Sequence, residues 1–262
     1  MDSPWELLRD GGDAERKDRG LVLRAVQDEG IALQFAAPEL QDDREVVLAA
    51  IEQDADALQY ASEDLKKCRE VVAAAVAREG ATLRFADESL WSDRDLLLAA
   101  VTRDGRLLRL APNLELQDQA LVLAAVRQDG DALQFASEEW RGDKEVVLAS
   151  VASSGETLQI ASQELQDDAD VVRAAIRFDG QVLKFASPRL RGDRELVMQA
   201  VKQHGCALEF ASEELRGDHN VVWQAVNRTP RSLKFALGGL AEDQELEELA
   251  RDARCRIQET GR

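Results

Sequence analysis

One 25-residue pattern repeats along most of the chain and constrains the fold more than any other feature. Aspartate recurs every 25 residues from Asp18 to Asp243, and Cys68 occupies the one slot that is filled differently. With Asp18 as position 1, nine complete units run to Glu242 without insertion or deletion. Position 16 is leucine and position 19 is alanine in every unit. A pattern this regular predicts one short structural module copied in tandem.

The first half of each unit predicts an amphipathic helix. Aspartate at position 1 is a good N-cap because its carboxylate accepts hydrogen bonds from unpaired backbone N–H groups. Positions 5, 8 and 9, for example Val47, Ala50 and Ile51, have the spacing of one helical face. Position 13 is glycine, except for Ala55 and Pro230. We expect this glycine to end the helix in the left-handed conformation.

The second half of each unit predicts a shorter helix and then a single helical turn. Leucine at position 16 and alanine at position 19 face the same way in the shorter helix. Serine at position 20, which proline follows in Ser187-Pro188, is a helix-start signal. The turn then presents the leucine of position 23, such as Leu40, to the core. The unit that contains residues 113–116 departs from the pattern, and we expect a local shift there.

A 25-residue unit cannot bury its apolar face alone, but stacked neighbours can. The sequence therefore predicts an all-α fold, an α-solenoid of about nine helical-hairpin repeats. We assign residues 1–17 to an N-terminal cap, 18–242 to the repeats and 243–262 to a C-terminal capping helix.

A leucine-rich-repeat fold is the alternative. The Leu-Gln-Phe triplet at positions 16 to 18 alternates as a strand would, and the unit length suits leucine-rich repeats. The repeat lacks their asparagine ladder, and the flanking alanines favour a helix.

The composition restricts the partners. The formal charge of −18 opposes binding to nucleic acid or anionic membrane, and aromatic residues make up 5% of the chain. No apolar run is long enough to cross a bilayer, and the N-terminus holds no signal-peptide core. Three scattered cysteines suit a reducing compartment. We expect an intracellular, cytoplasmic protein that does not insert into membranes.

The repeat closely resembles the family of domain of unknown function 4116. The clearest copies are residues 43–65, 143–165 and 193–215, and the resemblance covers residues 18–242. The departures are Cys68, Ala55, Pro230 and residues 113–116. The resemblance implies a helical-repeat module of unassigned role, with no catalytic residues to transfer.

The residues themselves predict no catalysis, no cofactor and no metal. Carboxylates recur with the repeat, which indicates capping and solvation, whereas a catalytic pair would be unique. His204 and Cys206 offer two metal ligands, but no further ligands have suitable spacing. The glycines are 25 residues apart and form no phosphate-binding loop.

The candidate binding residues are those that vary between units. Position 17 never holds an apolar residue, and we expect it to line a groove that binds an extended acidic segment of another protein, although a merely solvated face explains it equally well. Phe178 and Trp91 replace polar residues and are candidate anchors if exposed, whereas Trp140 and Trp223 are expected in the core. The candidate residues are Arg84, Arg109, Lys184, Lys234, Gln134, Gln159, Phe178 and Trp91.

The predicted function is a non-catalytic protein–protein interaction scaffold. One alternative is a nucleic-acid-binding helical repeat protein that reads one base per unit, which the charge disfavours. Another is a regulatory or localising module of a larger assembly.

Overall fold

The computed structural model describes residues 3–111 and 117–260. It divides into two compact units, Met1–Gln128 and Asp129–Arg262. Helices and turns make up both units, and no described residue lies in a strand. The predicted tandem helical-repeat fold is confirmed, and the leucine-rich-repeat alternative is wrong. The shift expected at residues 113–116 lies outside the described residues.

Each repeat that the structure describes in full contains three helical elements. A ten-residue α-helix covers positions 2 to 11. A six-residue 3₁₀-helix covers positions 13 to 18, and a third element of one turn follows. In the first unit the long α-helices are Arg19–Asp28, Arg44–Gln53, Arg69–Arg78, Arg94–Arg103 and Gln119–Gln128. The 3₁₀-helices are Gly30–Phe35, Ala55–Tyr60, Gly80–Phe85 and Gly105–Leu110. The third elements are the α-helical turns Pro38–Gln41 and Glu63–Lys66 and the 3₁₀ turn Glu88–Ser92.

The second unit repeats this order. Its long α-helices are Lys144–Ser153, Ala169–Phe178, Arg194–Gln203 and His219–Arg228. Its 3₁₀-helices are Gly130–Phe135, Gly155–Ile160, Gly180–Phe185, Gly205–Phe210 and Pro230–Phe235. Its third elements are Glu138–Arg141, Gln163–Gln166, Pro188–Arg191, Glu213–Arg216 and the 3₁₀ turn Leu240–Glu242.

The aspartate at position 1 caps the long helix, as the sequence predicts. The Asp43 carboxylate accepts hydrogen bonds from the backbone N–H groups of Glu45 and Val46 at 2.9 and 3.3 Å. Cys68 makes no such bond to its helix. The expected apolar face is buried and includes position 4 in addition, because Val46 and Val47 are both inaccessible.

The glycine at position 13 does not adopt the left-handed conformation, so that prediction is wrong. Among the described residues only Gly238 and Gly239 have positive φ. The long helix ends instead at an extended residue at position 12. Where position 13 is glycine it lies close against the next repeat: a Cβ at Gly105 would be 2.3 Å from the carbonyl oxygen of Ala125.

The second helix is a 3₁₀-helix, tighter than a conventional α-helix. In most repeats its side chains at positions 15 and 16, and the alanine that follows it at position 19, are buried, for example Ala57, Leu58 and Ala61. An aspartate at position 12 caps it from outside: Asp54 accepts a hydrogen bond from the N–H of Asp56 at 2.9 Å. Consecutive i→i+3 bonds explain why a triplet that alternates like a strand is helical.

The third element joins neighbouring repeats through the backbone. The N–H of Ser62 donates to the carbonyl of Gln41 at 2.9 Å, and that of Ser187 donates to Gln166 at 3.0 Å. The leucine of position 23 is buried at Leu190 and half-buried at Leu65. Within each unit, main-chain hydrogen bonds of this kind join neighbouring repeats wherever the structure describes both partners.

Additional helices cover the ends of the two units. Pro4–Asp10 and Asp13–Lys17 precede the repeats of the first unit, and Leu8 of the former is fully buried whereas Leu7 is exposed. Gln244–Thr260 follows the last repeat of the second unit. Its Leu246 is buried against that unit.

Candidate interaction surface

The side chains of position 17 point to solvent from the 3₁₀-helices. All are exposed except Gln59, which is half-buried. We call the two groups the first-unit row and the second-unit row. The first-unit row is Gln34, Gln59, Arg84 and Arg109, and the second-unit row is Gln134, Gln159, Lys184, Glu209 and Lys234.

Aromatic rings lie beneath several of the cations in these rows. The Nζ atom of Lys184 is 4.6 Å from the centroid of the Phe185 ring, and Lys234 lies at the same distance from Phe235. Both rings are half-buried. A cation above an aromatic face is held by the electrostatic attraction of the ring. The two lysines are therefore positioned groups with an apolar surface beside each charge.

Glutamines of the rows are fixed by their own backbone. Gln134 Nε2 donates to the carbonyl of Asp131 at 3.0 Å, and Gln59 makes the equivalent bond to Asp56. The amide oxygen of Gln134 has no partner among the described residues. An ordered amide with a free acceptor oxygen can receive a hydrogen bond from a peptide N–H.

Two adjoining cavities bring the predicted glutamines and Lys184 together. The larger, of about 480 Å³, lies between Gln159 and Gln166 on one side and the segment from Lys184 to Pro188 on the other. The smaller, of about 200 Å³, includes Gln134 and Gln159 in its lining. Gln159 lines both cavities, so Gln134, Gln159 and Lys184 lie along one polar groove, with the half-buried ring of Phe185 at its edge. Lys234 lines neither of them.

The first-unit row is less favourable for an acidic partner. An NH2 nitrogen of Arg84 lies 3.6 Å from a carboxylate oxygen of Asp56, which offsets its charge. The Arg84 guanidinium also lies over Phe85, at 4.6 Å from the ring centroid. Arg109 is exposed and is followed by Leu110 rather than by an aromatic residue.

Trp91 has a structural role within its own repeat. It is half-buried, and its indole N–H donates to the carbonyl of Leu83 at 3.1 Å. Gln41 occupies the same position 24 and donates to the carbonyl of Leu33 at 3.2 Å. The tryptophan thus replaces a glutamine in holding a 3₁₀-helix carbonyl, and we do not retain it as a binding anchor.

Phe178 is exposed but lies apart from the rows. It is 57% exposed at the end of a long helix, and its side chain lies over Gly155 of the preceding repeat. Trp140 is half-buried. The core placement of Trp223 is wrong, because it is 39% exposed at position 6 of its helix.

The recurring acidic residues at position 1 form ion pairs between repeats. Arg69 Nε lies 2.7 Å from an Asp93 oxygen, and Arg19 pairs with Asp43 at the same distance. The arginine hydrogen bond lowers the pKa of the Asp93 carboxyl, and the same cause lowers the pKa of Asp43. In the second unit Lys144–Asp168 repeats the arrangement at 2.7 Å. These carboxylates are engaged in capping and pairing.

Sequence reasoning missed one cluster of cations and a thiol. Arg228 and Arg231 line a small cavity together with His204 and Cys206. The signal was present in the sequence, because His204 and Thr229 replace the acidic residue common at position 12. Among the described residues, no group of three or more His, Cys, Asp or Glu side chains is arranged to hold a metal ion.

The comparisons with known proteins identify a family. The family model described as Domain of unknown function (DUF4116) matches residues 18–66, 68–117, 118–166, 143–191 and 193–237. The chain belongs to this family. Two of the DUF4116 matches overlap with starts at 118 and 143, one repeat apart. The DUF4116 description names no activity or ligand. No curated protein and no solved structure matches the chain significantly. In the described part of the chain, no helix has the length and apolar character needed to cross a membrane.

Proposed function

We propose that this DUF4116 protein is a non-catalytic protein-binding module. The second-unit row is its binding surface, and the partner is an extended, acidic segment of another protein. The observation that carries the proposal is Lys184, which lies over Phe185 at the edge of the 480 Å³ cavity lined by Gln159 and Gln166. Cation, ring and amides together offer charge, apolar contact and hydrogen bonds.

An extended segment suits the spacing of these groups. Equivalent residues recur once per repeat, so a partner chain that follows the row meets a new amide or cation at each repeat. Glutamine amides can bind a peptide backbone, and lysines can bind acidic side chains. The half-buried rings beside them add apolar contact area, which aromatic residues supply at many interfaces.

The acidic residues support a role without catalysis. The carboxylates of Asp43, Asp93 and Asp218 are bound by arginines and by helix N–H groups. Paired carboxylates that recur in successive repeats serve stability. The Asp and Glu residues that line the smaller cavity, Asp131 and Glu156, limit the charge of the groove and select for partners with spaced rather than continuous acidic residues.

The test compares a charge reversal within the second-unit row with a charge reversal outside it. The variant Lys184→Glu with Lys234→Glu changes the second-unit row. The control Arg251→Glu with Arg254→Glu makes the same change of charge at exposed positions of the last helix of the same unit. Each protein is applied to an array of extended acidic peptides and of their lysine-substituted counterparts, and bound peptides are measured by fluorescence anisotropy.

We expect wild type and control to bind a subset of acidic peptides and the row variant to bind them about tenfold more weakly. Equal binding by all three proteins would remove the proposal. A single-stranded RNA serves as the second probe, and measurable affinity for it at physiological salt would favour a nucleic-acid-binding role.

A further inference from the structure

A small basic cavity lies between the last repeats of the second unit. Its volume is about 190 Å³, and the side chains of Gln203, His204, Cys206, Arg228 and Arg231 contribute to its lining. No carboxylate belongs to the described lining. The cavity is large enough for several water molecules, each of which occupies about 30 Å³ in the liquid, or for one small ion. We call it the C-terminal basic cavity.

The local charge is reversed relative to the rest of the chain. Position 12 is acidic in most repeats, and where it is aspartate it caps the 3₁₀-helix, as Asp104 does by accepting from the N–H of Arg106 at 3.0 Å. His204 and Thr229 occupy position 12 here, and neither side chain caps its helix in the described structure. Position 14 holds Asp56 in an earlier repeat and Arg231 in the last one. The last two repeats therefore have no carboxylate at position 12, and Arg231 adds a positive charge beside it.

The two arginines are held in place and keep most of their donors free. Arg231 Nε donates to Cys206 Sγ at 3.4 Å, and Arg228 Nε donates to the carbonyl of Gln203 at 2.9 Å. A guanidinium has five N–H donors. The other four of each arginine have no partner among the described residues. The bonds through Nε fix the planes of two guanidinium groups on one cavity.

The ion pairs of the described residues include none with Arg228 or Arg231, and the carboxylate beside His204 is engaged elsewhere. Asp179 is bound by His204, whose Nδ1 lies 3.0 Å from Asp179 Oδ1. The same oxygen also accepts from the N–H of Gln181 at 2.8 Å. Asp179 does not belong to the described lining of the cavity. The whole chain has a formal charge of −18, so a cavity lined by two arginines and by no described carboxylate is a local positive site in an acidic protein.

We propose that the C-terminal basic cavity binds a tetrahedral oxyanion of the phosphate class. A phosphate monoester carries between about one and a half and two negative charges at neutral pH and has three acceptor oxygens. Two guanidinium forks match that charge and geometry, and each fork can bind two oxygens. A carboxylate offers one charge and two oxygens and would leave one arginine unpaired. The inference is independent of the second-unit row and does not rest on the proposed function.

The test uses inorganic phosphate and O-phosphoserine as probes at constant ionic strength. Each is titrated into ¹⁵N-labelled full-length protein, and the Nε–Hε signals of the arginines and the amide signals of Cys206 and Arg231 are followed by NMR. Sodium chloride replaces the probe in a reference titration. We expect saturable chemical-shift changes that are confined to the residues lining the cavity. Binding of both probes indicates a monoester site, whereas binding of inorganic phosphate alone indicates a site for the free ion, and each supports the proposal.

Two double variants and a matched control make the result decisive. Arg228→Gln with Arg231→Gln removes the forks and should weaken phosphate binding by about tenfold or more. His204→Asp with Thr229→Asp restores the acidic position 12 of other repeats, so it should abolish binding while keeping or raising the melting temperature. Arg251→Gln with Arg254→Gln removes the same charge at exposed positions of the last helix and should leave phosphate binding unchanged.

Three outcomes would overturn the proposal. The first is a titration that stays linear, or that chloride reproduces. The second is phosphate binding that survives in the His204→Asp and Thr229→Asp variant. The third is an equal loss of phosphate binding in the Arg251→Gln and Arg254→Gln control. Because none of these variants alters the second-unit row, acidic-peptide binding and phosphate binding can fail independently of each other.

Discussion

Gly205 lies directly against the carbonyl group of Ala225 in the following repeat. A Cβ atom at Gly205 would be 2.2 Å from the Ala225 oxygen and 2.8 Å from the Cβ of Thr229. Gly180 has the same relation to Ala200, where the distance would be 2.4 Å. The position-13 glycine therefore sets how closely two repeats approach.

We predict that Gly205→Ala destabilises the protein by about 1–3 kcal/mol, because a methyl group must push neighbouring repeats apart. Thermal and urea unfolding measure the change. Gly217→Ala is the matched control, since its Cβ would meet only ordinary contacts, the nearest at 3.5 Å. That substitution should be neutral or slightly stabilising. Equal stability of the two variants would show that close approach at Gly205 is unimportant.

Cys68 offers a stabilising substitution. It stands where other repeats have a capping aspartate, and Arg44 precedes it by the same 24 residues that separate Arg69 from Asp93. We predict that Cys68→Asp stabilises the protein by about 1 kcal/mol through the restored helix cap. Cys68→Asn restores the cap without the charge, so the difference between the two melting temperatures measures the pair with Arg44. A Cys68→Asp protein less stable than wild type would contradict this prediction.

The pair of Arg69 and Asp93 should give stability a dependence on pH. The arginine lowers the Asp93 pKa below its ordinary value of 3.8, so the pair stabilises the fold above that value. The stabilisation is lost as the pH falls through the lowered pKa. We predict that Arg69→Gln raises the Asp93 pKa and reduces stability at neutral pH.

The difference between wild type and Arg69→Gln should vanish once Asp93 is protonated in both. Carboxyl ¹³C titration gives the pKa, and urea unfolding at neutral and acid pH gives the stability. High salt should shrink the neutral-pH difference, because the pair is solvent-exposed. If the two proteins still differ in stability at a pH where Asp93 is protonated in both, the effect of the substitution is due to lost packing.

Trp91 should be replaceable by glutamine at lower cost than by leucine. Gln166, at the same position of another repeat, donates to the carbonyl of Leu158 at 3.3 Å, as Trp91 does to Leu83. We predict that Trp91→Leu is less stable than Trp91→Gln by about 1 kcal/mol, the typical value of one hydrogen bond. The two melting temperatures decide this, and a more stable leucine variant would show that apolar contact outweighs the bond.

Part of the candidate site was predictable from sequence. Position 17 is polar in every repeat, and its exposure follows from the buried leucine at position 16. The rings beneath Lys184 and Lys234 could not be predicted as partners, because their contact depends on side-chain conformation. The grouping of Arg228 and Arg231 with Cys206 could not be predicted either, because the two arginines and the cysteine belong to different repeats.

The sequence by itself determined the repeat length, the helical character, the capping aspartates and the apolar face. These features follow from local propensity and periodicity, which act within a few residues along the chain. Only the tertiary structure decided that the position-13 glycine serves close approach, that the second helix is 3₁₀, and that Trp91 holds the carbonyl of Leu83. Each of these depends on distances between segments that the chain brings together only when it packs, and packing density is a property of neighbouring repeats in contact.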